Sequence, residues 1–322
     1  MYKINSNSLV ASYNTIKSKP IDWLWYPYIA FGKITIVLGD PGEGKTSFVL
    51  YLASLLSNND YSKLGLTQEA IKIIYQSAED GMEDTVKPRL DSYKANCKNI
   101  YFMTSKDISL TCEELESAIK QAKARLLILD PLQSFMEKGT SLQNVADLRP
   151  IFNHLSKVAK RTNCAIVLVG HMNKAIGSKE LYRGLGSIDI VAVARSVLTV
   201  KRIEENSKTR VVSQIKNNLA DIGMPVAFDI KMDGTILWLG KTSVENYQIE
   251  DDIGKKKEKK ASILLLDILK DGPKLTSLIL CEAKINGISE RTMRSAKKEL
   301  NIIALKRKDG WYWSLREESD DE

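Results

Sequence analysis

The sequence predicts an α/β fold: a mostly parallel sheet finishing in antiparallel strands, followed by a small basic domain of helices and a hairpin. Three observations predict it. The apolar, β-branched run Ile34-Thr35-Ile36-Val37-Leu38 passes through a glycine-rich turn into a second apolar run from Phe48 to Leu56, which reads as strand, loop and helix. Further apolar runs at residues 71–76, 126–129 and 165–170 end in polar or acidic residues and alternate with helix-like stretches, the pattern of parallel βαβ units. The charge run Lys255 to Lys260 then marks a change of character in the last quarter.

At 322 residues the chain is long enough for one large domain and a smaller one. With 43% hydrophobic and 27% charged residues it has the composition of a soluble globular protein. Its N-terminus lacks the apolar core of a signal peptide, and no later apolar run approaches a membrane span, so a cytoplasmic protein with no membrane partner is expected. Cys97, Cys112, Cys164 and Cys281 have neither disulfide-framework nor zinc spacing and are expected to be buried, reduced thiols. A net charge of +7 permits an anionic partner without identifying one.

Taken in order, the aromatic cluster from Pro20 to Tyr28 is read as packing before the first strand. The turn Gly39-Asp40-Pro41-Gly42-Glu43-Gly44-Lys45-Thr46-Ser47 is a phosphate loop: its glycines let backbone N–H groups face a polyphosphate, and the following helix adds its positive end. Lys45 is expected to reach the β- and γ-phosphates of ATP, and Thr46 to ligate Mg2+. The strand at 71–76 leads into Ser77-Ala78-Glu79-Asp80, where Glu79 is placed to orient or deprotonate an attacking water. The alternative is an acid pair favouring the N-terminus of the next helix. After a strand at 100–103 and a helix over 112–123, the buried strand at 126–129 ends in Asp130, the acidic partner of Thr46 on Mg2+.

A polar loop over 134–144, a helix through 151–160 and a strand over 165–170 follow, ending at His171. That histidine is read as a γ-phosphate sensor, the alternative being a hydrogen-bonded core residue. A glycine- and charge-bearing loop over 175–187 precedes strands at 197–200 and 210–218 and a hairpin over 226–239 turning at Asp233-Gly234.

This order of signatures resembles the RecA-like P-loop ATPase superfamily. The closer likeness is to the branch holding plasmid replicative helicases of the RepA type and ATPases of phages and integrative elements. It is carried by Gly39 to Thr46, Ser77 to Asp80, Leu127 to Pro131, His171 to Lys174, Gly186 to Ser196 and Lys216-Asn217-Asn218. The resemblance implies a hexameric ring with ATP between subunits, Glu79 as general base and His171 as sensor. It also implies that Arg195 or Lys216, which of them being open, gives a cation to a neighbour's phosphates. Lys174, Lys179 and Arg183, with Lys138, would line a channel holding single-stranded DNA, or belong to solvated loops.

Beyond the linker, a helix over 261–270, a second near 275–284, a third capped by Ser289 and a hairpin over 302–315 resemble a winged helix-turn-helix. Arg291, Arg294, Lys297 and Lys298 on the third helix would enter a duplex groove, and Lys306, Arg307 and Lys308 would touch phosphate. The alternative is a small helical domain used for protein contacts. The domains expected are therefore a RecA-like ATPase over 1–245, a charged linker over 246–260, a winged helix over 261–316 and an acidic tail over 317–322. A helicase or replication ATPase is the leading expectation; an ATP-gated DNA-binding regulator and a recombination mediator are the rivals.

Overall fold

The structure is a computed structural model. It describes every residue except 1–9, 11, 66–68, 106–107, 138, 141–143, 172–193, 205–206, 244–260, 287, 308–309 and 316–322. The chain divides into two compact units, Met1–Ser243 and Val244–Glu322.

The first unit begins with a short pair, β1 (Trp23–Trp25) and β2 (Ile29–Ala30), and then the central strand β3 (Ile34–Gly39). After helix α1 (Lys45–Ser57), β4 (Ile73–Ser77) is followed by α2 (Lys87–Ser92), β5 (Ile100–Tyr101) and α3 (Glu114–Ala122). Then come β6 (Leu126–Asp130), α4 (Val145–Thr162), β7 (Ala165–His171), β8 (Ser196–Arg202), β9 (Thr209–Asn217), β10 (Val226–Ile230) and β11 (Ile236–Lys241). Nine of these strands form one sheet in the order β11-β10-β9-β8-β3-β7-β6-β4-β5. Strands β8 through β5 in that order are parallel, and β9, β10 and β11 are added antiparallel. This is the RecA-like α/β core.

Alternation along the strands divides the core in two. Val37, Leu126 and Ile128 pack on one face with Phe48, Leu52 and Leu56 of α1. Ile36, Leu38, Leu127 and Leu129 pack on the other with Leu115 of α3 and Phe152 and Leu155 of α4. Both faces are covered, so the strands read as continuous apolar runs. The aromatic cluster does pack: Trp25 lies 4.1 Å from Tyr28 and 6.3 Å from Phe48 between ring centroids.

Helix α4 does begin directly after the expected loop, where the Asn144 side chain caps it by accepting from Ala146 N at 3.0 Å, and Pro150 is carried inside it. Other expectations are corrected. Of the cysteines only Cys164 is buried; Cys281 is exposed, and Cys97 and Cys112 are half-buried. The third strand stops at Tyr101, and Phe102 is exposed.

The second unit holds a helix over 261–269 (α5), the two-residue strand β12 (Lys274–Leu275), α6 (Thr276–Ile285), α7 (Glu290–Glu299), β13 (Ile303–Arg307) and β14 (Gly310–Ser314). The strands form a sheet in the order β12-β14-β13; β12 is too short to announce itself by alternation. Leu265, Leu269, Ile279, Met293 and Trp313 make a separate core. Ser289 caps α7, its hydroxyl accepting from Thr292 N at 3.2 Å. The expected linker over 246–260 and acidic tail over 317–322 lie outside the described residues. Among the described residues no helix is long and apolar enough to cross a membrane.

Candidate functional site

Four strand ends meet at one edge of the sheet. β3 ends in Gly39, which pairs with His171 of β7, while Ser77 of β4 pairs with Asp130 of β6. Ligands of open α/β sheets collect outside this carboxyl edge, where the strand order reverses around the central strand.

The phosphate loop rises from β3 and closes at Gly44, which caps α1 in the left-handed region with φ 91°. Glycine is required here for two reasons. A Cβ on Gly39 would stand 2.4 Å from Val200 O, and one on Gly44 would stand 2.9 Å from Ile230 Cδ1. The loop is therefore set tightly against β8 and β10, with no room for a side chain at either position. Lys45, the first residue of α1, is 5% exposed. Its Nζ donates to Gly39 O at 2.8 Å and Asp40 O at 2.9 Å, so the ammonium lies inside the loop. Burial lowers its pKa, against the attraction of Asp130, Asp40, Glu43 and Glu79.

Thr46 Oγ1 donates to Asp130 Oδ2 at 2.7 Å. Tyr75 OH, buried on β4, donates to the same oxygen at 3.3 Å. Burial raises the Asp130 pKa, and the two hydrogen bonds pull it down. A hydroxyl and a carboxylate side by side at the foot of a phosphate loop are hard oxygen donors of the kind that suit Mg2+. The Ser77 hydroxyl accepts from the N–H groups of Glu79 and Asp80 at 3.3 and 2.9 Å, which fixes the turn carrying both acids. Their roles separate. Asp80 is tied to Arg89 at 3.2 Å, whereas Glu79 is exposed at the strand end. The Nδ1 of His171 is buried without a hydrogen-bond partner among the described residues.

Two arginines at this edge carry no sequence signature. Arg202 ends β8 and faces Arg210 of β9 in register. Arg202 N donates to the Glu43 carboxylate, and its Nη2 donates to Gly42 O at 3.3 Å. Arg210 is buried, with Cγ 3.6 Å from where a Gly44 Cβ would be and Nη1 donating to Ser207 O at 2.8 Å. Burial first, then Arg202, lowers its pKa. Strand register alone brings this pair to the outer wall of the phosphate loop.

Arg195 and Lys216 lie elsewhere. Thr35 pairs with Ser196 and Val197 with Lys216, so both cations sit near the start of β8, at the opposite end of the sheet from Gly39. Four residues of strand separate the two levels, about 13 Å at roughly 3.3 Å per residue. Burial and the neighbouring Arg195 lower the Lys216 pKa. In the second unit Arg291, Arg294 and Lys298 share the exposed face of α7, and Arg294 pairs with Glu290 at 2.7 Å. Lys306 and Arg307 are exposed on β13. Lys138, Lys174, Lys179, Arg183 and Lys308 lie outside the described residues.

A family model described as an AAA domain matches residues 3–176. The DNA repair protein RadA of Halalkalibacterium halodurans is 27% identical over 207 residues, covering 63% of this chain and 40% of that protein. The protein of the same name from Campylobacter jejuni is 28% identical over 145 residues, 44% of this chain and 29% of its own length. The chain thus spans about two fifths or less of the length of these two curated relatives. Among solved structures, one described as an ATPase domain aligns with a TM-score of 0.51 at 16% identity, covering 65% of this chain and 85% of that one, a likeness of fold.

Proposed function

Because the chain belongs to the AAA domain family, we propose that it hydrolyses ATP as a ring-forming, DNA-dependent RecA-like motor, a helicase or replication ATPase of a mobile genetic element or phage. The observation that carries the hydrolytic part is the Thr46–Asp130 hydrogen bond at the foot of a glycine-rich loop, with Glu79 at the adjoining strand end. Loop N–H groups and the Lys45 ammonium bind the phosphates and stabilise charge that builds on them. Thr46 and Asp130 hold Mg2+, which when bound neutralises phosphate charge. Glu79 takes the proton of the attacking water, and His171, whose buried Nδ1 has no hydrogen-bond partner among the described residues, senses the terminal phosphate.

Arg195 and Lys216, remote from their own phosphate loop, are suited to reach the loop of a second copy. That placement supports a ring, in which each site is completed by the neighbour. The second unit is read as a winged helix-turn-helix that binds duplex DNA through the α7 face of Arg291, Arg294 and Lys298, with Lys297, Lys306 and Arg307 beside it. The domain division follows: ATPase over 1–245, linker over 246–260, winged helix over 261–316.

The similarity to proteins named for DNA repair favours a second reading, a recombination mediator that assembles on DNA without unwinding it. ATP turnover of the protein alone, with single-stranded DNA and with duplex, at one fixed salt concentration, tests both. Strong stimulation by single strands, together with strand displacement, is expected of the motor. Turnover without displacement on any forked substrate overturns the helicase and leaves the mediator.

A further inference from the structure

Three aromatic residues stand in succession on β14, and each has a cation against its ring. Lys306 Nζ is 5.9 Å from the Trp311 centroid, the Arg307 guanidinium carbon 4.7 Å from that of Tyr312, and Lys297 Nζ 5.2 Å from that of Trp313. Such contacts occur about once in 70–80 residues of folded protein. Three on consecutive residues gather Lys306 and Arg307 of β13 and Lys297 of α7 around one strand.

The two tryptophans have different surroundings. Trp313 is 3% exposed and belongs to the core of the unit. Trp311 lies two residues nearer the hairpin tip and is 54% exposed. Trp313 is covered by the core side chains Leu265, Ile279 and Met293, a cluster to which Trp311 does not belong. By the alternation of a strand, Trp311 shares the face of Trp313, and its cross-strand partner is Lys306. Beside this face a cleft of about 480 Å³ is lined by Arg294, Lys297, Lys298, Asn301 and Ile302. Lys297 joins the two features, since it both lines the cleft and lies over Trp313.

An open indole two residues along the strand from the ring that Lys297 of the cationic cleft covers matches the chemistry of an unpaired nucleotide, whose base can stack while its phosphates sit among lysines and arginines. A duplex could use the cations, but its bases are stacked on one another and leave Trp311 without a role. We propose that the second unit binds unpaired nucleotides, one base stacking on Trp311 and the flanking phosphates lying among Lys306, Lys297, Arg294 and Lys298. This rests on the reading of the chain as a DNA-associated ATPase for the choice of DNA, and it adds an unpaired strand, at an overhang or junction, to the duplex contacts of the α7 face.

The test uses the full chain without nucleotide. Anisotropy of labelled oligo-dT, a blunt duplex and a duplex with a single-stranded overhang is compared for wild type, Trp311→Phe and Trp311→Ala. A stacked base contributes about 1–3 kcal/mol, so Trp311→Ala is expected to weaken oligo-dT and overhang binding by about 5- to 150-fold. Blunt-duplex binding is expected to stay unchanged, and Trp311→Phe to keep most of the affinity. Photocrosslinking with a 5-iodouracil oligonucleotide is expected to mark the peptide holding Trp311. Oligo-dT that binds wild type yet neither crosslinks to this peptide nor loses affinity in Trp311→Ala overturns the proposal and spares the DNA reading. An equal loss on single strand and blunt duplex also overturns it. Wild-type protein that binds none of the three DNAs overturns the DNA reading, and the proposal with it.

Discussion

In the proposed reaction Glu79 and Lys45 belong to one constellation but serve different steps. Lys45 is buried with its ammonium in the loop, so Lys45→Ala removes the charge that offsets phosphate and is expected to abolish nucleotide binding. Glu79 is exposed, and it is the backbone N–H of this residue, not its carboxylate, that anchors the turn to Ser77. Glu79→Gln should therefore bind a fluorescent ATP analogue like wild type and lose turnover by about 100-fold or more, the worth of a general base. Wild-type turnover in Glu79→Gln would remove it from that role. Cys164 gives a pH-dependent contrast. Burial pushes its thiol up to about 12, whereas Cys281 lies open to solvent. A thiol whose pKa is raised on folding stays protonated in the folded state while the unfolded chain ionises, so its contribution to stability is whole below pH 9.0 and declines as pH rises towards that raised value. At mildly alkaline pH iodoacetamide should modify Cys281 and leave Cys164 intact until the protein is unfolded, as peptide mass spectrometry can check.

At the scale of elements, the loop and its strand were legible because their signal is local: a β-branched run, glycines at fixed spacing and an apolar helix. What was not legible came from register. Tyr75, Arg202 and Arg210 reach the site because β4 lies beside β6 and β8 beside β9. Nothing in the neighbouring sequence of any of the three distinguishes it from an ordinary strand residue. Strand β12 is too short to carry a pattern. The loop geometry also orders three substitutions. Gly42 has φ 81° and open space around it, so Gly42→Ala carries only the left-handed penalty of about 1–2 kcal/mol. Gly44→Ala adds a clash with a movable Ile230 methyl. Gly39→Ala meets the backbone oxygen of Val200 in the sheet itself, and overpacking of that kind costs about 1–3 kcal/mol or more where no side chain is free to move aside. Urea unfolding should show Gly39→Ala losing more stability than Gly42→Ala, and the nucleotide affinity of Gly39→Ala should fall because β3 and β8 must part.

Across the whole molecule, each unit has its own core, and Arg195 and Lys216 stand away from the chain's own phosphate loop. If a neighbour supplies them, two inactive proteins can repair one another. Glu79→Gln offers intact cations and a dead base; Arg195→Ala combined with Lys216→Ala offers the reverse. Mixing the two is expected to restore up to about a quarter of wild-type turnover, because a random assembly places intact partners on both sides of an interface in that share of sites. No recovery over either variant alone would mean that each chain completes its own site.

The order of the sheet also bears on how the protein is made. β3 is walled by β7 and β8, yet it leaves the ribosome long before residues 165–202 exist. Until then Ile36, Leu38 and their neighbours have no partner on either edge, and pairings this distant in sequence form late. A nascent chain halted before β8 holds every glycine of the phosphate loop but lacks Val200 and Arg202, the residues against which that loop is set. The wall behind the phosphate loop is therefore complete only late in synthesis, and until then the apolar strands of the first half stand exposed.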